Sequence, residues 1–183
     1  MNILHIDSSA LGDHSASRRQ TAATVAELCA DQRETQVVYR DLAAAPLSHI
    51  SGPLLQALRG EWNQALPMNA ELRAEVLQSE SLLHEFQAAD VVVLGAPLCN
   101  FSIPSTLKVW VDRLLQVGSQ ASAQDAGRPA KRVIVAMQGA CVISKGSPLA
   151  LQQESYFRAV FNHVGIRELE IMHSDVTRQA QAA

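Results

Sequence analysis

One segment, from Asp90 to Gly118, restricts the possible folds of this chain more than any other. It begins with an apolar run, Val91 to Ala96, that is interrupted only by a glycine and stopped by Pro97, a pattern typical of a strand buried on both faces. Apolar residues then recur at three- and four-residue spacing, which predicts an amphipathic helix. They are Ile103, Leu107, Trp110, Val111, Leu114 and Leu115. The loop between strand and helix, Pro97 to Pro104, therefore follows the carboxyl end of a buried strand, where open α/β sheets bind their ligands.

The rest of the chain continues this alternation of strands and helices. Further strands are predicted at Asn2–Asp7, Thr35–Tyr39, Arg132–Met137 and Glu168–Met172, and further helices at Ser15–Ala30, Pro53–Gly60, Asn69–Ala89 and Ser147–Val164. The apolar residues of the first helix, Ala22, Ala23, Val25, Ala26, Leu28 and Cys29, lie broadly on one side, and the last helix bears Leu151, Tyr156, Val160 and Phe161. Strand–helix–strand crossovers predict a mainly parallel sheet covered on both faces.

Two doubly wound topologies are compatible with this pattern. A dinucleotide-binding domain requires GxGxxG after the first strand, but the segment from Ser8 to Ser17 contains a single glycine. The other common strand order is the flavodoxin-like 2-1-3-4-5, in which the first and third strands are neighbours. The loops that follow these two strands would then face one crevice. At 183 residues the chain suits one domain, spanning residues 1–183.

The loop after the first strand is rich in hydroxyl groups. Ser8, Ser9, Ser15 and Ser17 lie beside the start of a helix, where unpaired N–H groups and the positive end of the helix dipole favour an anion such as phosphate. The alternative is that Ser15 or Ser17 only caps the helix. Arg18 follows directly, and it either adds positive charge to the site or is solvated. No GxxxxGKS is present, so hydrolysis of a nucleoside triphosphate is not indicated.

Composition and charge disfavour several other classes of protein. The formal net charge is −3 and the 15 basic residues are scattered, so we expect neither a nucleic acid nor a membrane as partner. The apolar runs have the length of strands and no signal peptide is recognised, so we expect a cytoplasmic protein. The 3 cysteines include no CxxC pair and the 6 histidines lack ligand spacing, so we expect thiols and no metal site.

Three groups of residues together resemble the FMN-dependent NADH azoreductase and quinone reductase family. They are Ser8-Ser9 with Ser15-Ala16-Ser17, then Asp41-Leu42-Ala43, and finally Ala96-Pro97-Leu98-Cys99-Asn100-Phe101-Ser102-Ile103-Pro104 with Leu107-Lys108 and Asp112-Arg113. The last group is the most specific, although Cys99 stands where the family usually has tyrosine. The resemblance implies an α/β flavodoxin-like fold, with a doubly wound five-stranded parallel sheet in the order 2-1-3-4-5 and helices on both faces.

The resemblance also implies a function. It predicts a homodimeric flavoenzyme that binds FMN, takes hydride from NADH or NADPH, and passes two electrons to a quinone or azo substrate by a ping-pong mechanism. The residues that it assigns to FMN are Ser9, Ser15, Ala16 and Ser17 for the phosphate, Pro97, Leu98, Cys99, Asn100 and Phe101 near the ring, and Gln138, Gly139, Ala140 and Cys141 in a third loop. No catalytic side chain is assigned, because a flavin carries hydride transfer itself.

The chemistry of the second loop agrees with this assignment. Phe101 offers an apolar face for a flat ring, and the Asn100 amide can hydrogen-bond a polar ring edge. Two alternatives keep the same fold. One is a one-electron carrier of flavodoxin type, and the other is a flavin-free binding module, suggested by the altered third loop and by the end of the chain at Ala183.

Overall fold

A computed structural model describes residues 1–30, 34–61, 68–118, 131–138 and 146–174 of the chain. The strands are β1 (Asn2–Asp7), β2 (Gln36–Asp41), β3 (Val91–Pro97), β4 (Arg132–Gln138) and β5 (Glu168–Ser174). The α-helices are α1 (Ala16–Ala30), α2 (Gly52–Leu58), α3 (Ala70–Ala88), α4 (Ser105–Gly118) and α5 (Pro148–His163), and a 3-10 turn at Gly12–His14 precedes α1. Each predicted strand and helix is confirmed, with boundaries that shift by at most a few residues.

The five strands form one parallel sheet in the order β2-β1-β3-β4-β5, which confirms the predicted topology. Strand β3 lies at its centre, with Leu94 opposite Ile6 of β1 and Val135 of β4. It is buried from Val91 to Ala96, as the apolar run predicts. Because β1, β3 and β4 are parallel neighbours, their carboxyl ends reach the same edge of the sheet.

Helices cover the two faces of the sheet unequally. The larger core contains the apolar stripe of α4, with Leu107, Trp110 and Leu114 fully buried, together with side chains of α3 and α5. The smaller core lies on the opposite face, where Val25 of α1 packs with Val93. Among the described residues, no helix has both the length and the apolar character needed to cross a membrane.

The buried faces of two helices differ from their apolar sets. In α1 the buried residues are Ser17, Thr21, Thr24 and Val25, whereas Ala22, Ala23 and Ala26 are exposed. Thr24 can be buried because its hydroxyl donates to the helix carbonyl of Gln20, and Thr21 because its one hydroxyl proton is shared between the Arg18 carbonyl and Asp7 Oδ1. Alanine gains little from burial because it has little apolar area. In α5, Leu151 is exposed and the buried residues are Ala150, Gln153, Phe157, Val160 and Phe161.

Candidate functional site

The candidate site lies at the edge of the sheet where β1, β3 and β4 end. The first loop, residues 8–15, follows β1, and the second loop, residues 98–104, follows β3. The third loop follows β4, whose last residue is Gln138. The fold therefore brings the first two predicted segments together, and it places Gln138 beside them. Gly139, Ala140 and Cys141 lie outside the described residues.

The serines of the first loop are buried and hydrogen-bonded to the protein. The Ser8 hydroxyl donates to the carbonyl of Gly95, at 2.7 Å, and so fixes the first loop to β3. Ser15 Oγ accepts the N–H of Arg18 at 3.3 Å, so Ser15 does cap α1, and it lies 2.9 Å from Ser17 Oγ. Ser9 Oγ accepts an N–H from Leu11 at 3.3 Å. Ser9 only accepts in these bonds, so its own hydroxyl proton is unused. Ser15 and Ser17 share one hydrogen bond, so one of their two hydroxyl protons is unused. Two hydroxyl donors therefore remain for a ligand.

Arg18 holds the first loop in place. Its Nη2 donates to the Ser9 carbonyl at 2.8 Å and to Asp41 Oδ1 at 2.7 Å, while Nη1 lies 2.6 Å from Asp41 Oδ2. Burial opposes ionisation of Asp41, but the hydrogen bonds from Arg18 and from the N–H groups of Ala44 and Ala43 outweigh it and lower the pKa of the carboxyl. Arg18 is therefore neither solvated nor a free cation of the site, because its charge is matched by Asp41.

The buried carboxylate of Asp7 lies at the base of the first loop. Asp7, the last residue of β1, accepts hydrogen bonds from the hydroxyls of Thr21, at 2.8 Å, and Tyr39, at 3.1 Å. Burial and the charge of Asp7 raise the pKa of Tyr39 to about 12. A Cβ atom at Gly95 would lie 2.8 Å from Asp7 Oδ1, so any larger residue would have to displace this hydrogen-bonded carboxylate. This cluster is not among the residues predicted for the site, although the aspartate that ends one apolar strand and the glycine inside another are visible signals of it in the sequence.

The second loop contains a tight turn that presents an aromatic side chain to solvent. The Cys99 N–H donates to the Ser102 carbonyl at 2.7 Å and the Ser102 N–H to the Cys99 carbonyl at 2.9 Å. Between them Asn100 has φ 46° and Phe101 has φ 68°, as in the type I′ turns of hairpins. Asparagine tolerates this region, but phenylalanine seldom adopts it. The Phe101 side chain is 75% exposed, so it lies outside the core.

Gln138 connects the second loop to the start of α1. Its carbonyl accepts the N–H of Leu98, at 2.9 Å, and its side-chain Oε1 accepts the N–H of Ser17, also at 2.9 Å. The second loop is held further by Gln153 of α5, whose Nε2 donates to the Ala96 carbonyl at 3.3 Å. The sequence offers no signal for the contact between Gln138 and Ser17, because the two residues are 121 positions apart.

The chemistry of the site suits a ligand that carries both an anionic group and a flat ring. The start of α1 and the hydroxyls of Ser9, Ser15 and Ser17 favour an anion. The exposed ring of Phe101 favours an aromatic surface. Within the described ranges no group of three or more His, Cys, Asp and Glu side chains could hold a metal ion, and Cys29 and Cys99 are free thiols.

Comparison with known proteins gives strong matches over nearly the whole chain. The model of the Flavodoxin_2 family, described as a flavodoxin-like fold, matches residues 1–183. FMN-dependent NADH:quinone oxidoreductase 2 of Bradyrhizobium diazoefficiens is 44% identical, in a match that covers 96% of this chain and 87% of that protein. The FMN-dependent NADH:quinone oxidoreductase of Sinorhizobium fredii is 42% identical, in a match that covers 96% of this chain and 85% of the relative.

Solved structures share the fold at lower identity. An azoreductase from Bacillus anthracis str. Sterne has a TM-score of 0.70 at 19% identity, over 94% of this chain and 86% of that one. An FMN-dependent NADH-azoreductase from Bacillus anthracis str. Ames Ancestor, solved in complex with FMN, has a TM-score of 0.72 at 17% identity with the same coverage.

Proposed function

The chain belongs to the Flavodoxin_2 family, and from that premise we propose that it is an FMN-dependent oxidoreductase that uses NADH to reduce quinones, the activity for which its relatives are named. One structural observation carries the proposal. The hydroxyl-rich start of α1 and the exposed aromatic ring of Phe101 lie on loops that leave neighbouring strands at one edge of the sheet. This arrangement offers an anion site and an apolar face to a single ligand, as FMN requires.

We assign the phosphate of FMN to the first loop. Ser9 and one member of the Ser15–Ser17 pair would supply hydroxyl donors, and the N–H groups of Ala16 and Ser17 open a helix whose dipole favours negative charge. These hydroxyl and N–H donors carry no net charge. Arg18 adds none to the site, because its charge is balanced by that of Asp41. The role of Arg18 is to fix the Ser9 carbonyl and with it the course of the loop.

We assign the flavin ring to the second loop. Phe101 would provide an apolar surface, the Asn100 amide a hydrogen-bonding group, and Pro97, Leu98 and Cys99 the rest of the wall. Gly139, Ala140 and Cys141 of the third loop are proposed as further contacts. Because Leu98 is hydrogen-bonded to Gln138 and Ala96 to Gln153, the base of the second loop is fixed before any ligand binds.

When bound, FMN would accept hydride from the nicotinamide and deliver two electrons to the acceptor. The residues of the chain position this chemistry and supply no acid or base of their own. We propose that donor and acceptor use the same exposed face in turn, which is a ping-pong mechanism, and that NADPH and azo compounds are possible alternative substrates. We further propose that the protein is a cytoplasmic homodimer.

The test is the visible spectrum of the purified protein after incubation with FMN and removal of free ligand, followed by anaerobic addition of NADH. We expect a retained flavin spectrum that bleaches in one two-electron step, and quinone-dependent oxidation of NADH in turnover. Accumulation of a one-electron reduced flavin with little NADH oxidation would instead identify an electron carrier. A protein that retains no flavin would refute the proposal.

A further inference from the structure

The contact between Gln138 and the start of α1 bears on how tightly this chain binds FMN. Resting on the proposed function, we propose that the Gln138 side chain and the FMN phosphate compete for the Ser17 N–H, so that Gln138 lowers the affinity of the site for FMN. The contact itself is well defined, because the Ser17 nitrogen lies 2.9 Å from Gln138 Oε1.

The Ser17 N–H is a donor that a phosphate would use. Ser17 is the second residue of α1, so its N–H has no carbonyl partner within the helix and must be satisfied from outside. An N–H group makes one strong hydrogen bond, and here Oε1 of Gln138 receives it. A phosphate oxygen that takes this N–H must therefore displace the Gln138 carboxamide. The neighbouring N–H of Arg18 does not replace it, because it is already donated to Ser15 Oγ.

We expect the phosphate to displace the Gln138 side chain, and this displacement to lower the affinity for FMN measurably. A charged oxygen accepts a hydrogen bond more strongly than a neutral carboxamide oxygen. Breaking a neutral hydrogen bond of this kind corresponds to a factor of about two to ten in a binding constant. The backbone of Gln138 is not involved, since its carbonyl bonds to Leu98 and the residue ends β4 beside Pro97. The side chain can thus leave without moving the second loop.

The experiment compares three variants of the full chain, prepared without flavin, in their affinity for FMN and for riboflavin. Q138A removes the carboxamide, Q138M keeps a side chain of similar length without the acceptor, and Q138E places a negative charge at the same N–H. Riboflavin has the ring but no phosphate, so it reports on the ring site and on folding. Gln152, exposed on α5, gives the control variant Q152A. Quenching of flavin fluorescence measures each dissociation constant.

We expect Q138A and Q138M to bind FMN about two- to tenfold more tightly than the wild type, and Q138E to bind it at least about tenfold more weakly because two like charges would share one donor. Riboflavin affinity should be equal in all variants, and Q152A should match the wild type. If one variant fails to fold, the other neutral variant still tests the competition.

Two results would overturn the inference while leaving the proposed function intact. Weaker FMN binding by both neutral variants would make Gln138 a ligand of the phosphate, with its amide nitrogen as donor. Unchanged FMN binding by both would mean that the Ser17 N–H is not used by the phosphate. Failure of the wild type and all variants to bind either flavin would refute the proposed function itself, and the inference with it.

Discussion

Replacing Phe101 tests whether the positive φ at this residue, which presents its aromatic ring to solvent, lowers the stability of the fold. Phe101 has φ 68° and lies in the left-handed region, while its side chain is 75% exposed. We expect the variant F101G to be more stable than F101A, although glycine normally destabilises a protein relative to alanine. Both variants lose the ring, so the difference between them isolates the backbone conformation.

The magnitude follows from two opposing effects. A residue with a Cβ atom pays roughly 1–2 kcal/mol in the left-handed conformation, and alanine retains this cost at position 101. Glycine avoids it but loses more chain entropy on folding, about 0.5–1 kcal/mol relative to alanine. The free energy of unfolding should therefore be about 0.5–1 kcal/mol higher for F101G. For a chain of this size that difference raises the midpoint of thermal unfolding by about 1–4 °C.

The assay is thermal and urea unfolding of the flavin-free variants, with a control pair on helix α3. Leu77 is 59% exposed and helical, so there the order must reverse, with L77A about 1 kcal/mol more stable than L77G. FMN binding should weaken about threefold to tenfold in both Phe101 variants, through loss of aromatic contact. If F101A proved as stable as F101G, the reasoning from positive φ would be wrong. Unchanged FMN affinity would remove Phe101 from the flavin site.

Three further predictions concern the supports of the site. In G95A the new Cβ would lie 2.8 Å from Asp7 Oδ1. We therefore expect the free energy of unfolding, measured with urea, to fall by about 1–3 kcal/mol. An unchanged midpoint of urea unfolding would contradict the close approach. Asp41 has a pKa below its ordinary value of 3.8, so its ion pair stabilises the fold above that value and is lost as the pH falls through the lower pKa of the folded state. We therefore expect D41N to lose less stability than the wild type between about pH 6 and about pH 3, whereas parallel stability curves would show that the pair is not formed. Cys99 is exposed, so C99Y should fold as well as the wild type and bind FMN about threefold to tenfold more tightly through a new aromatic contact; equal dissociation constants would place residue 99 away from the ring.

The strands and helices could be predicted because they depend on periodicity, whereas the strand order followed from the missing GxGxxG and from the family resemblance. The apolar run of β3 and the stripe of α4 set where each element begins and which face it buries. The face of α1 that is buried could not be predicted in the same way. Its alanines suit either a buried or an exposed position, and the buried face depends on Thr21, whose hydroxyl reaches Asp7 in a different element.

The contacts within the site were harder to predict than its location. The Asp41-Leu42-Ala43 segment was recognised from resemblance alone, and the structure supplies its physical reason, since Asp41 binds Arg18 and the N–H groups of Ala43 and Ala44. Pairing of this kind joins residues from separate parts of the chain. Neither charge pattern nor spacing specifies such a partner, so Arg18 could be read as free or solvated until the fold was known.

The way in which the second loop is anchored has a consequence for how this protein can change through evolution. Its base is fixed through the N–H of Leu98 and its turn through the N–H and carbonyl groups of Cys99 and Ser102. These bonds use backbone atoms, which every residue other than proline provides. Side chains along the loop can therefore be exchanged by mutation while the path of the chain is kept. Cys99 is one such position, because its N–H and carbonyl are bonded within the turn while its side chain is exposed.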